Sequence, residues 1–355
     1  MANKLSKKER FAGCMLGLAL GDSLGYDVKG KSFKQIRKEY GKKGIMKPVR
    51  SKQTKSALVS DETQLMLFTA HGILWTCAVG GSTAADYTNN VFLALQQWLY
   101  TQTGSTASPA YDNILEAEGT EYPCALLDLD EIYKKRGPTK TLIQTLTAQA
   151  AMNYGSPGSH VNDSKLFDCV PRTAPAGLFF SCNPVLAFKT GCLFAAITHG
   201  NPTGYLAAGC FAAMLAYIVG GETIEKSALN CMKLLTEYDG YDECYTAINH
   251  ALELIEDDDT SPLTAVGELG GGNTAESALA IGIYCAAAHY DFESAVQLAA
   301  NQDGNSDACA AIAGALKGAY VGYHALPAKW ISEVQLTATV KEYAVQLSKA
   351  APKKA

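Results

Sequence analysis

The sequence lacks the features that define several protein classes. None of its eleven cysteines forms a CxxC or CxxH pair, so a zinc-type ligand set is missing. Most cysteines, among them Cys14, Cys192 and Cys309, lie in apolar stretches, where a thiol behaves as a small core residue. Reduced cysteines indicate a reducing compartment. Residues 1–10 also lack the apolar core of a signal peptide. We therefore expect a cytoplasmic protein without disulfide bonds.

Long apolar runs and alternating strand patterns are missing as well. The longest apolar run, 205–219, is too short to span a bilayer and follows a helix-start signal at Asn201-Pro202-Thr203, so we expect no membrane association. Period-two alternation is not found, whereas helical spacing recurs along the chain, which predicts an all-α fold. No linker or repeat divides the 355 residues. A single domain, 1–355, with a flexible tail at 351–355, is therefore the simplest organisation.

Positive charge is concentrated near the start of the chain. Residues 1–55 carry fifteen Lys and Arg against four acids, whereas the whole chain has a net charge of −5. A basic block can bind nucleic acid or phosphates. Aromatic residues do not interleave with these charges, so a solvated surface around a helix at 31–40 explains them better. We do not expect nucleic acid as a partner.

Helical periodicity covers most of the chain. It predicts helices at 7–20, 31–40, 65–75, 84–101, 127–134, 139–151, 183–199, 203–219, 222–237, 239–257, 273–287, 291–300, 307–321 and 336–349. Loops are predicted at 102–123, 154–172 and 267–272. Repeated Gly, Ala and Cys inside the helices indicate tight packing.

Two helix starts carry adjacent oxygen ligands. At 301–316, Asn305 or Ser306 can cap a helix of small residues, and Asp307 lies in its first turn, where the helix dipole favours a carboxylate. Ser60-Asp61-Glu62-Thr63 is a similar start. If the fold joins the two, they could coordinate Mg²⁺ or a related ion. From spacing alone, ordinary helix caps with dipole-matched acids are the better explanation.

Two further positions could contact a ligand. His199 ends one predicted helix and faces the next, where it could meet a phosphate or a reacting group. A histidine at a helix C-terminus is often simply stabilised by the dipole. Gly270-Gly271-Gly272-Asn273 could approach a phosphate through backbone N–H groups, although glycines are as common in tight turns between helices. Both alternatives stay open.

Taken in order, six motifs between about residue 10 and 332 resemble the ADP-ribosylglycohydrolase family, which includes the dinitrogenase reductase-activating glycohydrolases. The motifs are Gly17-Leu18-Ala19-Leu20-Gly21-Asp22-Ser23-Leu24-Gly25, Ser60-Asp61-Glu62-Thr63-Gln64-Leu65, Asn162-Asp163-Ser164-Lys165 with Arg172-Thr173-Ala174-Pro175, Thr198-His199-Gly200-Asn201-Pro202, Leu269-Gly270-Gly271-Gly272 and Asp303-Gly304-Asn305-Ser306-Asp307. The resemblance implies an all-α orthogonal bundle with a two-metal Mg²⁺ or Mn²⁺ site. Such a site would hydrolyse the bond between ADP-ribose and a modified protein side chain.

The resemblance also implies roles for individual residues. It assigns catalysis to Asp61, Glu62 and Asp307, and metal binding to Ser60, Asp61, Glu62 and Asp307, with Asp307 bridging both ions. Contacts with ADP-ribose or an ADP-ribosylated protein would come from His199, Asn162, Ser164, Gly271 and Gly272.

Four features depart from the family pattern. Glu62 replaces an Asp, and Asn305 and Ala308 replace a carboxylate and a hydroxyl in the last motif. Lys29 stands where the family commonly has a Glu. Leu166-Phe167-Asp168-Cys169 aligns with a glycine-rich loop, which adds bulk and an anion beside the expected phosphates.

These changes lie in the site, while the motifs of the scaffold are intact. We expect one ion, or none, in place of two. The sequence therefore predicts a family hydrolase of weakened activity. The alternative is a catalytically silent member with a binding, regulatory, immunity-like or structural role, which could involve a protein partner.

Overall fold

A computed structural model describes residues 5–116 and 122–353. In these two ranges the regular elements are helices. A few isolated β-bridges pair single extended residues outside the helices. The predicted all-α class is confirmed. Residues 117–121, within the predicted loop 102–123, lie outside the described ranges, as do 354–355 of the predicted tail.

The described residues form sixteen α-helices. They are α1 (Lys7–Tyr26), α2 (Phe33–Tyr40), α3 (Asp61–Ala78), α4 (Ala84–Thr103), α5 (Lys140–Ala148), α6 (Ala174–Phe179), α7 (Pro184–Ala196), α8 (Pro202–Gly220), α9 (Ile224–Leu235), α10 (Asp242–Glu256), α11 (Pro262–Glu268), α12 (Ala275–Ala288), α13 (Phe292–Ala300), α14 (Ser306–Val321), α15 (Ala328–Glu333) and α16 (Thr337–Ala350). Short 3₁₀ turns lie at Pro109–Leu115, Ala125–Asp128, Phe167–Cys169, Pro171–Thr173 and Tyr323–Ala325.

Most predicted helices are found within a few residues of their expected bounds, but some predictions were wrong. The helix predicted at 127–134 is a 3₁₀ turn followed by irregular turns. Helices α6, α11 and α15 were missed because six or seven residues make fewer than two turns and show no clear period. Ala351, assigned to the flexible tail, is buried, and Lys7 Nζ donates to its carbonyl at 3.3 Å.

Helices α1 and α14 run antiparallel through the core in close contact. Small residues meet every four positions, from Gly13 opposite Gly318 to Gly25 opposite Ser306. A Cβ at Gly17 would collide with the carbonyl oxygen of Gly314, so only glycine permits this approach. The prediction that α1 ends at 21–25 was therefore wrong, because that motif is part of the contact. The pairing brings the end of α1 to the first turn of α14.

Helix α8, which contains the apolar run 205–219, is long and apolar enough, by length and composition, to cross a membrane, so the prediction that this run is too short was wrong. Its mean hydropathy is 1.6, and 83% of the apolar window is buried inside the protein. All eleven cysteines lie within the described ranges, and all are free thiols.

Candidate functional site

The first part of the site is the start of α3, which Asp22 of α1 holds in place. The Asp22 carboxylate accepts hydrogen bonds from the backbone N–H of Ser60, at 3.0 and 3.1 Å, and from that of Thr63, at 3.3 Å. Ser60 caps the helix by accepting from the N–H of Glu62 at 3.0 Å. Burial and the nearby charge of Asp307 raise the pKa of Asp22 to about 7, against the effect of these hydrogen bonds. The role of Asp22 was not predicted, because only the fold brings this residue to a second helix.

The second part is the start of α14, where the predicted cap takes another form. Asn305 occupies the N-cap position, but its side chain donates to Gly272 O at 3.2 Å and Asn273 Oδ1 at 2.7 Å instead of capping the helix. Its N–H donates to Gly271 O at 2.9 Å. A Cβ at Gly272 would collide with Cys309 Sγ. Here Gly271 and Gly272 pack against α14, and their contact with a phosphate stays a prediction.

The two helix starts meet in one buried cluster of carboxylates. Asp61, Glu62 and Asp307 are each no more than 1% exposed. Burial raises the pKa of Asp61 and of Glu62 well above the usual range, and the negative charge of Asp307 raises both further. Lys29 opposes these shifts without cancelling them. The carboxyl groups that sequence analysis placed together by resemblance are therefore electrostatic neighbours.

Lys29 enters this cluster from the segment after α1. Its Nζ lies 2.7 Å from Asp307 Oδ2, and the side chain is 23% exposed. Burial lowers the pKa of the ammonium, but the charges of Asp307 and Asp61, the hydrogen bond to Asp307 and the charge of Glu62 outweigh it, and the pKa is raised. Lys29 therefore carries a fixed positive charge against the first turn of α14.

The cluster contains unpartnered oxygen atoms of the kind that bind a divalent cation. Asp61 Oδ1, both Oε atoms of Glu62 and Asp307 Oδ1 are buried and have no hydrogen-bond partner among the described residues. Oxygens of this kind, with the Ser60 hydroxyl beside them, are what Mg²⁺ prefers. Yet no group of three or more His, Cys, Asp or Glu in the described ranges is arranged to hold a metal ion. Lys29 also faces Asp307, and its positive charge disfavours an ion on that carboxylate.

His199 belongs to a neighbouring buried network. Its Nε2 lies 3.0 Å from Asp168 Oδ1 and its Nδ1 lies 2.9 Å from Thr198 Oγ1, and the ring is fully buried. Arg172 Nη2 donates to Thr198 Oγ1 at 2.6 Å, so one hydroxyl contacts both the guanidinium group and the imidazole ring. Burial raises the pKa of Asp168, but His199, Thr139 and Arg172 outweigh it and the pKa is lowered.

Asn162 orders the loop that carries Asp168. Its Oδ1 accepts from the N–H groups of Ser164, at 2.9 Å, and Gly200, at 3.0 Å, and its Nδ2 donates to Thr198 O at 2.8 Å. Ser164 Oγ accepts from the N–H of Leu166 at 3.4 Å. Both polar atoms of the Asn162 amide are thus used within the protein. The predicted contacts of Asn162, Ser164 and His199 with a substrate stay predictions.

Two letter patterns of known catalytic motifs occur in the sequence without their structural context. Gly21-Asp22-Ser23-Leu24-Gly25 matches GxSxG but lies inside α1, not on a strand-to-helix elbow. Residues 25–32 match GxxxxGK[ST], yet a helix precedes them where a P-loop needs a strand. Lys31 pairs with Glu39 at 2.6 Å and Ser32 caps α2, so neither is positioned for a phosphate.

The fold and the site together define a helical protein with carboxylates from two helix starts in one buried cluster. The family model for ADP-ribosylglycohydrolase matches residues 3–355, and the chain belongs to this family. The resemblance drawn from the motifs is thereby confirmed. An uncharacterized protein of Archaeoglobus fulgidus is 27% identical over 342 residues, which is 96% of either chain.

A solved structure described as an ADP-ribosylglycohydrolase-related protein complex has the same fold. The superposition has a TM-score of 0.61 and covers 98% of this chain and 99% of the other. At 22% sequence identity, the likeness concerns the fold alone.

Proposed function

We propose that this protein hydrolyses the glycosidic bond between ADP-ribose and a modified protein side chain, at low turnover. The observation that carries the proposal is the meeting of Asp61, Glu62 and Asp307 at two helix starts, in a chain that belongs to the ADP-ribosylglycohydrolase family. The free cysteines support a reducing, cytoplasmic location.

Hydrolysis of a glycosidic bond needs a group that supplies a proton and a carboxylate that orients water. While no cation is bound, the raised pKa of Glu62 favours its protonated form, so this side chain can then donate a proton to the leaving group. Asp61 Oδ1 has no hydrogen-bond partner in the described part of the chain and can accept one from water. A divalent cation held by Ser60, Asp61 and Glu62 would supply Lewis acidity when bound.

Low turnover is expected because the carboxylate cluster is closed to solvent and part of its negative charge is already neutralised by Lys29. Asp61 and Glu62 are almost fully buried, so a substrate needs side-chain movement to reach them. Phe167 and Asp168 occupy the loop where the family has glycines, and both are buried. Backbone approach to a diphosphate is therefore hindered.

The test is release of ADP-ribose from proteins that carry ADP-ribosyl-arginine or ADP-ribosyl-serine, with Mg²⁺ or Mn²⁺. We expect slow release from the wild type and none from Asp61→Asn. The exposed Asp258, replaced by Asn, serves as the matched control and should leave the rate unchanged. Equal rates for Asp61→Asn and the wild type would rule out this site.

A second candidate is recognition of an ADP-ribosyl group, or of a protein partner that carries one, without hydrolysis. The ion pair between Lys29 and Asp307 favours this second candidate, because the Lys29 ammonium neutralises a carboxylate that hydrolysis would require. This candidate predicts binding of free ADP-ribose, measured by calorimetry, with no release. Release gained on combining Lys29→Glu, Asn305→Asp and Ala308→Thr would show an intact fold with a disarmed site. If neither the wild type nor the triple variant bound ADP-ribose or released it from a modified protein, both candidates would be contradicted.

A further inference from the structure

Lys29 is held against the carboxylate cluster by its neighbours in sequence. Gly30 N–H donates to Gly304 O at 2.8 Å, and Phe33 N–H donates to Asp303 Oδ1. Gly30 has a φ of +72°, a conformation that glycine adopts without strain and that turns the chain toward this loop. Backbone contacts on the C-terminal side of Lys29 thus join its segment to the residues just before Asp307.

The Lys29 side chain has two contacts that fix its ammonium. The first is Asp307 Oδ2, at 2.7 Å. The second is the ring of Phe167, whose centroid lies 5.4 Å from Nζ, within range of a cation–π interaction. Phe167 belongs to the stretch that replaces the family's glycine-rich loop. Two departures from the family pattern, Lys29 and Phe167, therefore act on the same positive charge.

The charges of the cluster leave room for one more cation. Among the described residues, five buried carboxyl groups face two positive side chains here. The acids are Asp22, Asp61, Glu62, Asp168 and Asp307, and the cations are Lys29 and Arg172. Buried charges must be paired or must change their protonation. Asp168 is paired with His199, and Asp22 accepts hydrogen bonds from the start of α3. The oxygens left without a hydrogen-bond partner among the described residues are Asp61 Oδ1, both Oε atoms of Glu62 and Asp307 Oδ1, while Lys29 lies against Asp307 Oδ2.

We propose that Lys29 takes the place of a second divalent cation, so that the carboxylate cluster binds at most one such ion. The ammonium neutralises Asp307 from within the chain and repels an ion on the same carboxylate. An ion that binds to the wild type would be held by Asp61 and Glu62. The inference concerns the site of the proposed function but rests only on its charges, so it holds whether or not the protein hydrolyses a substrate.

The experiment counts bound Mn²⁺ ions on the full chain by electron paramagnetic resonance, with no substrate present. We expect no more than one ion on the wild type. Lys29→Met removes the charge and keeps most of the side-chain length, and we expect one additional ion or a dissociation constant lowered at least tenfold. Lys29→Arg keeps the charge and should match the wild type. The control is Lys31→Met, which removes a positive charge two residues further along the same segment. Because Lys31 is paired with Glu39 outside the cluster, this variant should bind as many ions as the wild type.

Two tightly bound ions on the wild type would overturn the proposal without any variant, so it stays testable if Lys29→Met does not fold. For a Lys29→Met protein with the helical circular dichroism of the wild type, an unchanged ion count and affinity would also overturn it. A wild type that binds no ion, with one ion gained by Lys29→Met, would support it. Because ion number is the readout, a failure here differs from the loss of hydrolysis that would refute the proposed function.

Discussion

Nε2 of His199 lies 3.0 Å from Oδ1 of Asp168, and both side chains are fully buried. The pair joins the turn before α6 to the segment between α7 and α8, next to the carboxylate cluster; His199 therefore lies three residues beyond α7 and does not end the helix as predicted. Removing one partner of a buried pair leaves the other uncompensated, which costs more than the pair itself contributes.

We therefore predict that His199→Phe lowers the free energy of unfolding by about 3–5 kcal/mol. Asp168→Leu should cost a similar amount, since it leaves His199 and Thr139 without their acceptor. The double variant should be more stable than the sum of the two costs implies, because neither partner is then left alone. Urea denaturation of the four proteins measures the coupling, and strictly additive costs would contradict it.

The contact between α1 and α14 gives a prediction with an internal control. Gly17→Ala places a methyl group against the carbonyl of Gly314, and we expect a loss of about 1–3 kcal/mol of stability from the resulting overpacking. In Gly220→Ala, at the end of α8, the new Cβ meets no heavy atom within 4 Å in the described part of the chain. That change should be neutral or stabilise by about 0.4–1 kcal/mol. Equal effects of the two substitutions in thermal unfolding would contradict the close packing of α1 on α14.

His71 should make the protein sensitive to mild acid. It is fully buried beside Tyr122, with ring centroids 5.3 Å apart, and neither ring nitrogen has a hydrogen-bond partner in the ranges described. Burial lowers the pKa of His71 to about 3 from 6.5. The unfolded chain then binds a proton that the folded chain does not, so stability is present above pH 6.5 and falls as the pH drops toward 3.

The measurement is the free energy of unfolding at pH 7 and pH 5. The loss over this range should be about 2 kcal/mol smaller in His71→Phe than in the wild type. His324→Phe, at a side chain that is 76% exposed, gives the matched control. A His71→Phe protein with the same pH slope as the wild type would contradict the assignment.

A feature of this structure could be predicted from the sequence when residues close together in the chain determine it, and could not when a contact between distant elements does. The long helices and the capping Ser60 follow from local spacing and side-chain chemistry. The continuation of α1 through Gly21 does not, because glycine normally weakens or ends a helix and here is required by contact with α14. The position of Lys29 against Asp307 also depends on that contact. A family pattern shows which residues are exchanged, but only the fold shows that one of them supplies a charge to the cluster.

The last prediction concerns Asn305. Its side-chain amide donates hydrogen bonds, which the carboxylate that the family pattern has at this position cannot do. Its Nδ2 donates to Gly272 O and to Asn273 Oδ1, which joins the start of α14 to the glycine turn before α12. Asn305→Asp removes the donor and sets a carboxylate against two oxygen acceptors. We expect a loss of about 1–3 kcal/mol of stability in the presence of a chelator, as for a partly buried polar group left unsatisfied.

The same substitution should be compensated by a bound ion. A carboxylate at position 305 adds an oxygen ligand near Asp307, so millimolar Mn²⁺ should raise the melting temperature of Asn305→Asp more than that of the wild type. Asn273→Ala removes the same hydrogen bond from the other side without adding a charge, and it should lose stability with no greater response to Mn²⁺ than the wild type has. Identical shifts with Mn²⁺ in Asn305→Asp and Asn273→Ala would mean that position 305 does not face the ion-binding part of the cluster.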